Sequence, residues 1–491
     1  MLYTTKILPL SLITSALILA GCGSSDDKNS APTLTGEINP IVAENTTAVS
    51  TYVANDADGD VITLSLTGDS SDLFTITQSG ELSFINAPDF ETSVVNSYSV
   101  IINATDDSKD KLSTSLAINV TVGDEVDTPA NAVVQTVAPD YSSSEVAYIT
   151  PSAQEVQTGY YIKGASDYTL STYQADVYHI GRYGIDTIEK YNSQSPDAKV
   201  WEYTTQDNQD SLSRNPYALI SLNDSKAYLI RYGSPKIWIV NPQATEQAEF
   251  KIGELDISAY AFNNSTGTPT PSAGVINDGK LYIAMQRLSD SWAPATTYIA
   301  VFDTATDEEI ETNTDETDNL MGIPLKGINP LEHSVIAAND KVYVTTHSSY
   351  GAPSLSLSRI EEITPSDYSV RQVLTSENIT DNAAALIKST VIVSEEKGYF
   401  ITNETSYTPS YSVKSSLHQF NPTTGEVVAS NVASTGEDAI NYLGLDDANF
   451  LWLSIENPSA AGIEIINTED NSIVGDRLLT ELNPSVIGFI R

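Results

Sequence analysis

The sequence predicts an all-β protein: a β-sandwich of about 100 residues followed by a seven-bladed β-propeller. Three observations carry this. From Pro32 to about Pro129, short runs alternate apolar and polar residues. Beyond them, a strand centred on an aromatic residue recurs at roughly 50 to 60 residues. No 3.6-residue apolar period, the mark of helical repeats, is found along the chain.

The sandwich strands follow in order. Ile62, Leu64 and Leu66 alternate with polar residues, as do Phe74 with Ile76 and Leu82 with Phe84. Tyr98, Val100, Ile102 and Ala104 continue the pattern, then Ile118, Val120 and Val122, with turns such as Ser79-Gly80 between. The propeller strands centre on Tyr178, Tyr228, Tyr282, Tyr343, Tyr399 and Trp452. An apolar strand precedes several of them, as at Ala218–Asp224, Gly274–Asp278 and Val335–Asp340, and another follows, as at Lys236–Pro242 and Thr297–Asp303. Several antiparallel strands at this period make a propeller blade. Ser485–Arg491 reads as a first strand with nothing after it, and Ser144–Ile149 as a second strand lacking its first. Joined in one blade they close the ring and remove two edges. The count is seven, with six and eight left open.

Composition bounds the function. The 491 residues carry 24 Lys+Arg against 65 Asp+Glu, a formal charge of −41. Phosphate recognition needs clustered cations, so a nucleic-acid partner is not expected. The one Cys excludes an intramolecular disulfide and a Cys-based zinc site.

Lys6 and the apolar run Ile7–Ala20 read as a signal peptide over residues 1–21, too short to span a bilayer. The run ends Leu19-Ala20-Gly21-Cys22, which resembles the bacterial lipobox. The resemblance implies a lipid on Cys22, a polar tether over 22–31 and, because Gly23 is not the inner-membrane retention Asp, an outer-membrane location at the surface or facing the periplasm.

The acids between 32 and 130 are ordered: Ala43-Glu44-Asn45, Asn55-Asp56-Ala57-Asp58-Gly59-Asp60, Asp89-Phe90-Glu91, Ala104-Thr105-Asp106 and Asp124-Glu125-Val126-Asp127. Carboxylates on turns supply the six to eight oxygens calcium needs. In order and spacing these motifs resemble the cadherin repeat over roughly a fifth of the chain. The resemblance implies calcium as cofactor, held by Glu44, Asp89, Glu91, Asp124 and Asp127 at one end and by Asp56, Asp58 and Asp106 at the other. Ala43, Phe90, Val126 and Thr128 depart from the family pattern.

Residues 131–491 resemble the broad YVTN-type propellers, without the Trp-Asp ending of WD40 blades. The loops joining second to third strands carry Arg182-Tyr183-Gly184, Arg231-Tyr232-Gly233, Arg287 and His347 with Tyr350, while Arg214 lies on an incoming loop and Trp292 on the long loop of the third blade. The two Arg-Tyr-Gly triplets read as equivalent. Arg182, Tyr183, Arg214, Arg231, Tyr232, Arg287, Trp292, His347 and Tyr350 are therefore the expected ligand face, for a small anionic or aromatic ligand, a glycan or a protein partner.

The expected function is adhesion or ligand capture by a calcium-stiffened lipoprotein, with a resemblance to surface propellers that hand corrinoids or similar ligands to transporters. The alternative is a calcium-dependent propeller hydrolase or lactonase. Against it, the first-strand starts supply no acidic ring, and no nucleophile elbow or Gly-rich phosphate loop is found.

Overall fold

The computed structural model describes residues 28–490 except 89, 91–94, 124–127, 209, 263, 314–318, 380, 381, 383, 409, 410 and 433–437. Cys22, Asp89, Glu91, Asp124 and Asp127 lie outside the described residues. The chain divides into two compact units, Met1–Val126 and Asp127–Arg491. Among the described residues no helix is long and apolar enough to cross a membrane.

Among its described residues the first unit is built from strands, apart from one short 3₁₀ turn. Ile62–Thr67, Ser97–Asp106 and Ser113–Gly123 pair antiparallel, and Ile41–Ala43 adds in parallel to the last. A second sheet orders Ala48–Thr51, Glu81–Phe84 and Phe74–Ile76. The alternation read from sequence decides which side chains are enclosed: Val100, Ile102, Ala104, Ile118 and Val120 are buried against Phe74, Leu82 and Phe84. Phe84 meets Tyr98 edge to face at 5.3 Å. Gly80 has φ +88°, and a Cβ there would meet the Tyr52 carbonyl oxygen at 1.9 Å, so this turn requires glycine.

The second unit consists of seven four-stranded antiparallel sheets. Six are sequential, with first strands Tyr168–Tyr173, Pro216–Asn223, Pro271–Asn277, Val335–Ala338, Ala385–Ile392 and Ala439–Leu445. We number these blades 1 to 6. Their first strands neighbour one another around an axis, as in a β-propeller. Blade 7 closes the ring from both ends of the unit: Asn483–Ile490 is its first strand, then Asn131–Val137, Ser144–Thr150 and Glu155–Lys163. The closure expected from sequence is present with one correction. Ser144–Thr150 is the third strand, and Asn131–Val137 is the second. The latter is buried along almost its whole length, so it lacks the alternation that marks a half-buried strand.

The recurring aromatics are the seams. Tyr178, Tyr228, Tyr282, Tyr343, Tyr399 and Trp452 are all buried, each in a core shared with the next blade. Tyr228 donates to Asp307 Oδ1 (2.7 Å) and Tyr399 to Asn471 Oδ1 (2.6 Å), both in the following blade. The seam between blades 7 and 1 holds Glu189. It accepts from Lys163 Nζ at 2.8 Å and from the Tyr191 hydroxyl at 3.1 Å. Burial alone would raise its pKa, but His179, Lys163 and Lys199 hold it below the usual carboxylate range.

Candidate functional site

A cavity of about 770 Å³ opens on the propeller face that carries the second-to-third-strand loops. Its wall gathers first-strand residues such as Tyr168, Tyr217, Lys388, Asn441 and Tyr442, and loop residues such as Tyr141, Trp292 and Tyr350. A simple register rule selects the strand-end contributors. Arg182, Tyr232, Gln286 and Glu456 each stand four residues beyond the seam aromatic of their blade, and each lines the cavity. A strand alternates faces, so residues at an odd offset point the other way.

That rule separates the residues expected from sequence. Arg182 lines the cavity. Its Nε donates to Asp167 Oδ1 (2.7 Å), a terminal nitrogen donates to Glu332 Oε2 (2.6 Å), and its guanidinium lies 4.8 Å from the Tyr217 ring centre. Tyr232 stacks on Tyr217 at 4.5 Å and donates to Gln286 Oε1 at 2.6 Å. Trp292 and Tyr350 are on the rim, and Tyr183 is exposed outside the lining.

Arg231 and Arg287 are not presented to the cavity. Arg231 is three residues past Tyr228 and only 2% exposed. It donates to the Thr205 carbonyl and Asp210 within blade material and lies 4.1 Å over Trp238. Burial lowers its pKa to about 10, with Asp210 opposing. Arg287 is five past Tyr282, with a left-handed φ of 52°, and donates to the carbonyls of Tyr260 and Thr296. Arg214 pairs with Asp210 at 2.6 Å. His347 has the favourable offset from Tyr343 yet does not line the cavity, and burial brings its pKa down to about 4. The two Arg-Tyr-Gly triplets are thus one residue out of register with each other.

The deepest wall was not anticipated. Glu332, His333 and Tyr442 line this cavity and also a second, more apolar one of about 380 Å³ beside the inner strands, so they stand between the two. His333 adopts φ +60° and meets Tyr442 edge-on at 5.1 Å. Its Nε2 lies 3.6 Å from Glu332 Oε1. Burial lowers the His333 pKa against the pull of Glu332, and Arg182 and His333 hold Glu332 low against burial.

Of the two Lys/Arg side chains lining the cavity, Arg182 is paired and Lys388 is not: among the described residues no carboxylate forms an ion pair with Lys388, and its Nζ donates to the Ile440 carbonyl at 3.1 Å. Burial lowers its pKa to about 8, opposed by Glu456. Glu456 itself accepts from Asn441 and Asn483. Lone residues in mid-sequence gave no signal for this group. Lys388 and Tyr442 sit inside first strands that read only as apolar runs, and Glu332-His333 sits in a loop without a motif.

In the first unit, carboxylate oxygens of Asp56, Asp60 and Asp106 come within 4.8 Å of one another. Asp60, not named from sequence, joins Asp56 and Asp106 in this group, while Asp58 accepts the Ser30 N–H at 2.7 Å. Asp56 Oδ1 accepts from the N–H groups of Asp58, Gly59 and Asp60, which wraps the turn around it. Asp106 is buried and accepts from Asn29 and Ser108. Asp56 Oδ2 and Asn29 Oδ1 are buried without a hydrogen-bond partner. An unpartnered oxygen on one of the three carboxylates, and another on the Asn29 amide that hydrogen-bonds to Asp106, suit a hard cation. Glu44 lies toward the other end of the long strands, where it accepts the Phe90 N–H at 2.6 Å.

No family model matches the sequence, and no curated protein matches it. Among solved structures it is similar to the periplasmic gluconolactonase of Pseudomonas aeruginosa (11% identity, 74% of this chain and 99% of that one, TM-score 0.46). It is also similar to a protein from Lactobacillus plantarum (10% identity, 74% and 100%, TM-score 0.48). A part of human protocadherin-24 matches at 25% identity over 22% of this chain and 51% of that one, with TM-score 0.18. These scores are low, and the architecture rests on the sheet order given above.

Proposed function

We propose that the chain is a lipid-anchored envelope protein whose propeller captures a small anionic or planar ligand in its axial cavity. In this reading, a calcium-binding, cadherin-like unit follows the lipid-bearing Cys22 in sequence and precedes the propeller. The observation that carries the capture reading is Lys388, a cation with no carboxylate paired to it, set in a cavity walled by Tyr168, Tyr217, Tyr232 and Tyr442. A half-buried ammonium left with one carbonyl is poorly compensated until an anion arrives to meet it. Asp56, Asp60 and Asp106 would hold calcium, whose role there is to neutralise acids that otherwise repel. An outer-membrane position follows from the lipobox reading, and mass spectrometry of the mature N-terminal peptide tests it: a diacylglyceryl Cys22 is expected.

The capture reading is tested by calorimetric titration with glucuronate and 4-hydroxybenzoate at pH 7. Binding by the wild type that falls at least tenfold in Lys388→Met supports it. No binding of either probe, or equal binding by the variant, overturns it.

A second reading, hydrolysis of a cyclic ester, is favoured by Glu332 Oε1 and His333 Nε2 in the cavity wall, 3.6 Å apart and neither engaged in a hydrogen bond. The calcium-dependent form has no support there: among the described residues the one group of three acids able to hold a metal belongs to the first unit. Acid release from glucono-δ-lactone no faster than in buffer would eliminate it.

A further inference from the structure

The exposed aromatic residues of the propeller are not scattered. Tyr141, Tyr183, Trp292, Tyr350, Tyr407 and Tyr411 are 57% to 77% exposed. Among the described residues they are all the Tyr and Trp of the second unit that are exposed, and every one stands on a loop joining the second and third strands of its blade. Five of the seven blades contribute. The other exposed large hydrophobics are aliphatic, apart from Phe262, and include Ile162, Ile252 and Val428 on fourth strands.

Three of the rings, Tyr141, Trp292 and Tyr350, also line the axial cavity. In blade 5 the second and third strands, Gly398–Ser406 and Ser412–Phe420, are nine residues each and run past the usual six, carrying Tyr407 and Tyr411 at the tip. Tyr407 and Tyr411 lie with ring centres 5.7 Å apart. Aromatic side chains exposed in water cost free energy, and a rim of them on one loop class points to a partner that meets them there.

The chemistry of that partner follows from three features. Flat aromatic faces carried on the loops of five separate blades suit the C–H faces of successive sugar rings. The cavity interior offers hydroxyls and amides, among them Ser166, Gln286, Asn441 and Asn483, to a ligand rich in hydroxyl groups. The formal charge of −41 repels a polyanion, whereas Lys388 provides for one acid group. We propose that the rim is a carbohydrate platform, on which an oligosaccharide ending in a carboxylated sugar places its acid at Lys388 and its neutral sugars on the aromatic loops. This rests on the capture reading and extends it from a cavity to an elongated site.

The test is a calorimetric titration of the full chain with glucuronate, with the aldouronic acids carrying one glucuronate on two or three xyloses, and with xylotriose. Affinity is expected to rise at least threefold with each added sugar and to exceed that for xylotriose at least tenfold. Trp292→Ala and the double variant Tyr407→Ala/Tyr411→Ala, on exposed loops, should lose the gain from chain length while still preferring the acid. Lys388→Met should lose the preference for the acid and keep the gain from length. If glucuronate binds as tightly as its longer derivatives, or the rim variants keep the full gain, the platform is overturned and the cavity reading stands. If glucuronate, the longer acids and xylotriose all fail to bind, the platform is again overturned. Failure of 4-hydroxybenzoate as well then removes the cavity reading with it.

Discussion

Blades 1 and 2 carry the same three letters at the end of their second strands, yet use them in opposite ways. Arg182 stands four residues past Tyr178 and faces the axis, where it holds Glu332 and Asp167. Arg231 stands three past Tyr228 and is enclosed on the other side of its sheet, over Trp238. In blade 2 it is Tyr232 that reaches the cavity. A shift of one residue exchanges the two faces of a strand. Function therefore follows the offset from the seam aromatic, not the motif.

This contrast between seam and axis can be broken by experiment. The largest effect is expected at the seam. Tyr282→Ala empties a fully buried site between blades 3 and 4 and should lower stability by about 3–5 kcal/mol, measured by denaturant unfolding. Ligand affinity in the folded fraction should stay unchanged. Next, Arg231→Met should cost about 3 kcal/mol by removing a buried partner of Asp210 and the Thr205 carbonyl. A loss of affinity for glucuronate with normal stability would place Arg231 on the ligand face after all.

Calcium supplies an intermediate effect confined to the first unit. At a hundredfold excess over Kd it should add about 2.7 kcal/mol to that unit, and Asp106→Asn should abolish the gain. A thermal scan of the whole chain in which calcium moves only the propeller transition would contradict the assignment.

A pH dependence of similar size is expected at the axis. Burial depresses the folded-state pKa of Lys388 to about 8, below the usual lysine value, so the folded state binds fewer protons than the unfolded chain above that pH. Stability should therefore rise as pH increases from about 8 towards the unfolded value near 10.4. Wild type minus Lys388→Met isolates this slope from the tyrosines that titrate higher. A flat difference would mean the ammonium has found a counterion.

Much of the architecture was legible because it is periodic. Val100, Ile102 and Ala104 alternate and are buried, and six aromatics at a recurring spacing mark six seams. Asn131–Val137 was missed because a strand covered on both faces shows no alternation. The site was less legible for a different reason. Arg182 and Tyr232 could be found by counting from Tyr178 and Tyr228, but Glu332, His333, Lys388 and Tyr442 converge from blades 4, 5 and 6, and convergence across a ring leaves no local pattern. Asp60 shows the same limit in the first unit: alternate acids on a turn read alike in sequence, and only the fold brings Asp60 to Asp56 and Asp106.

The account stands most directly on Lys388 as the anion anchor at the axis. Calorimetric titration with glucuronate at pH 8, in two buffers of different ionisation enthalpy, measures protons taken up on binding. Near its pKa about half of the Lys388 population is neutral, so binding an anion should draw in roughly half a proton per ligand. Lys388→Met should show neither the uptake nor the wild-type affinity. Binding with no proton uptake, or uptake that survives in Lys388→Met, would contradict the account.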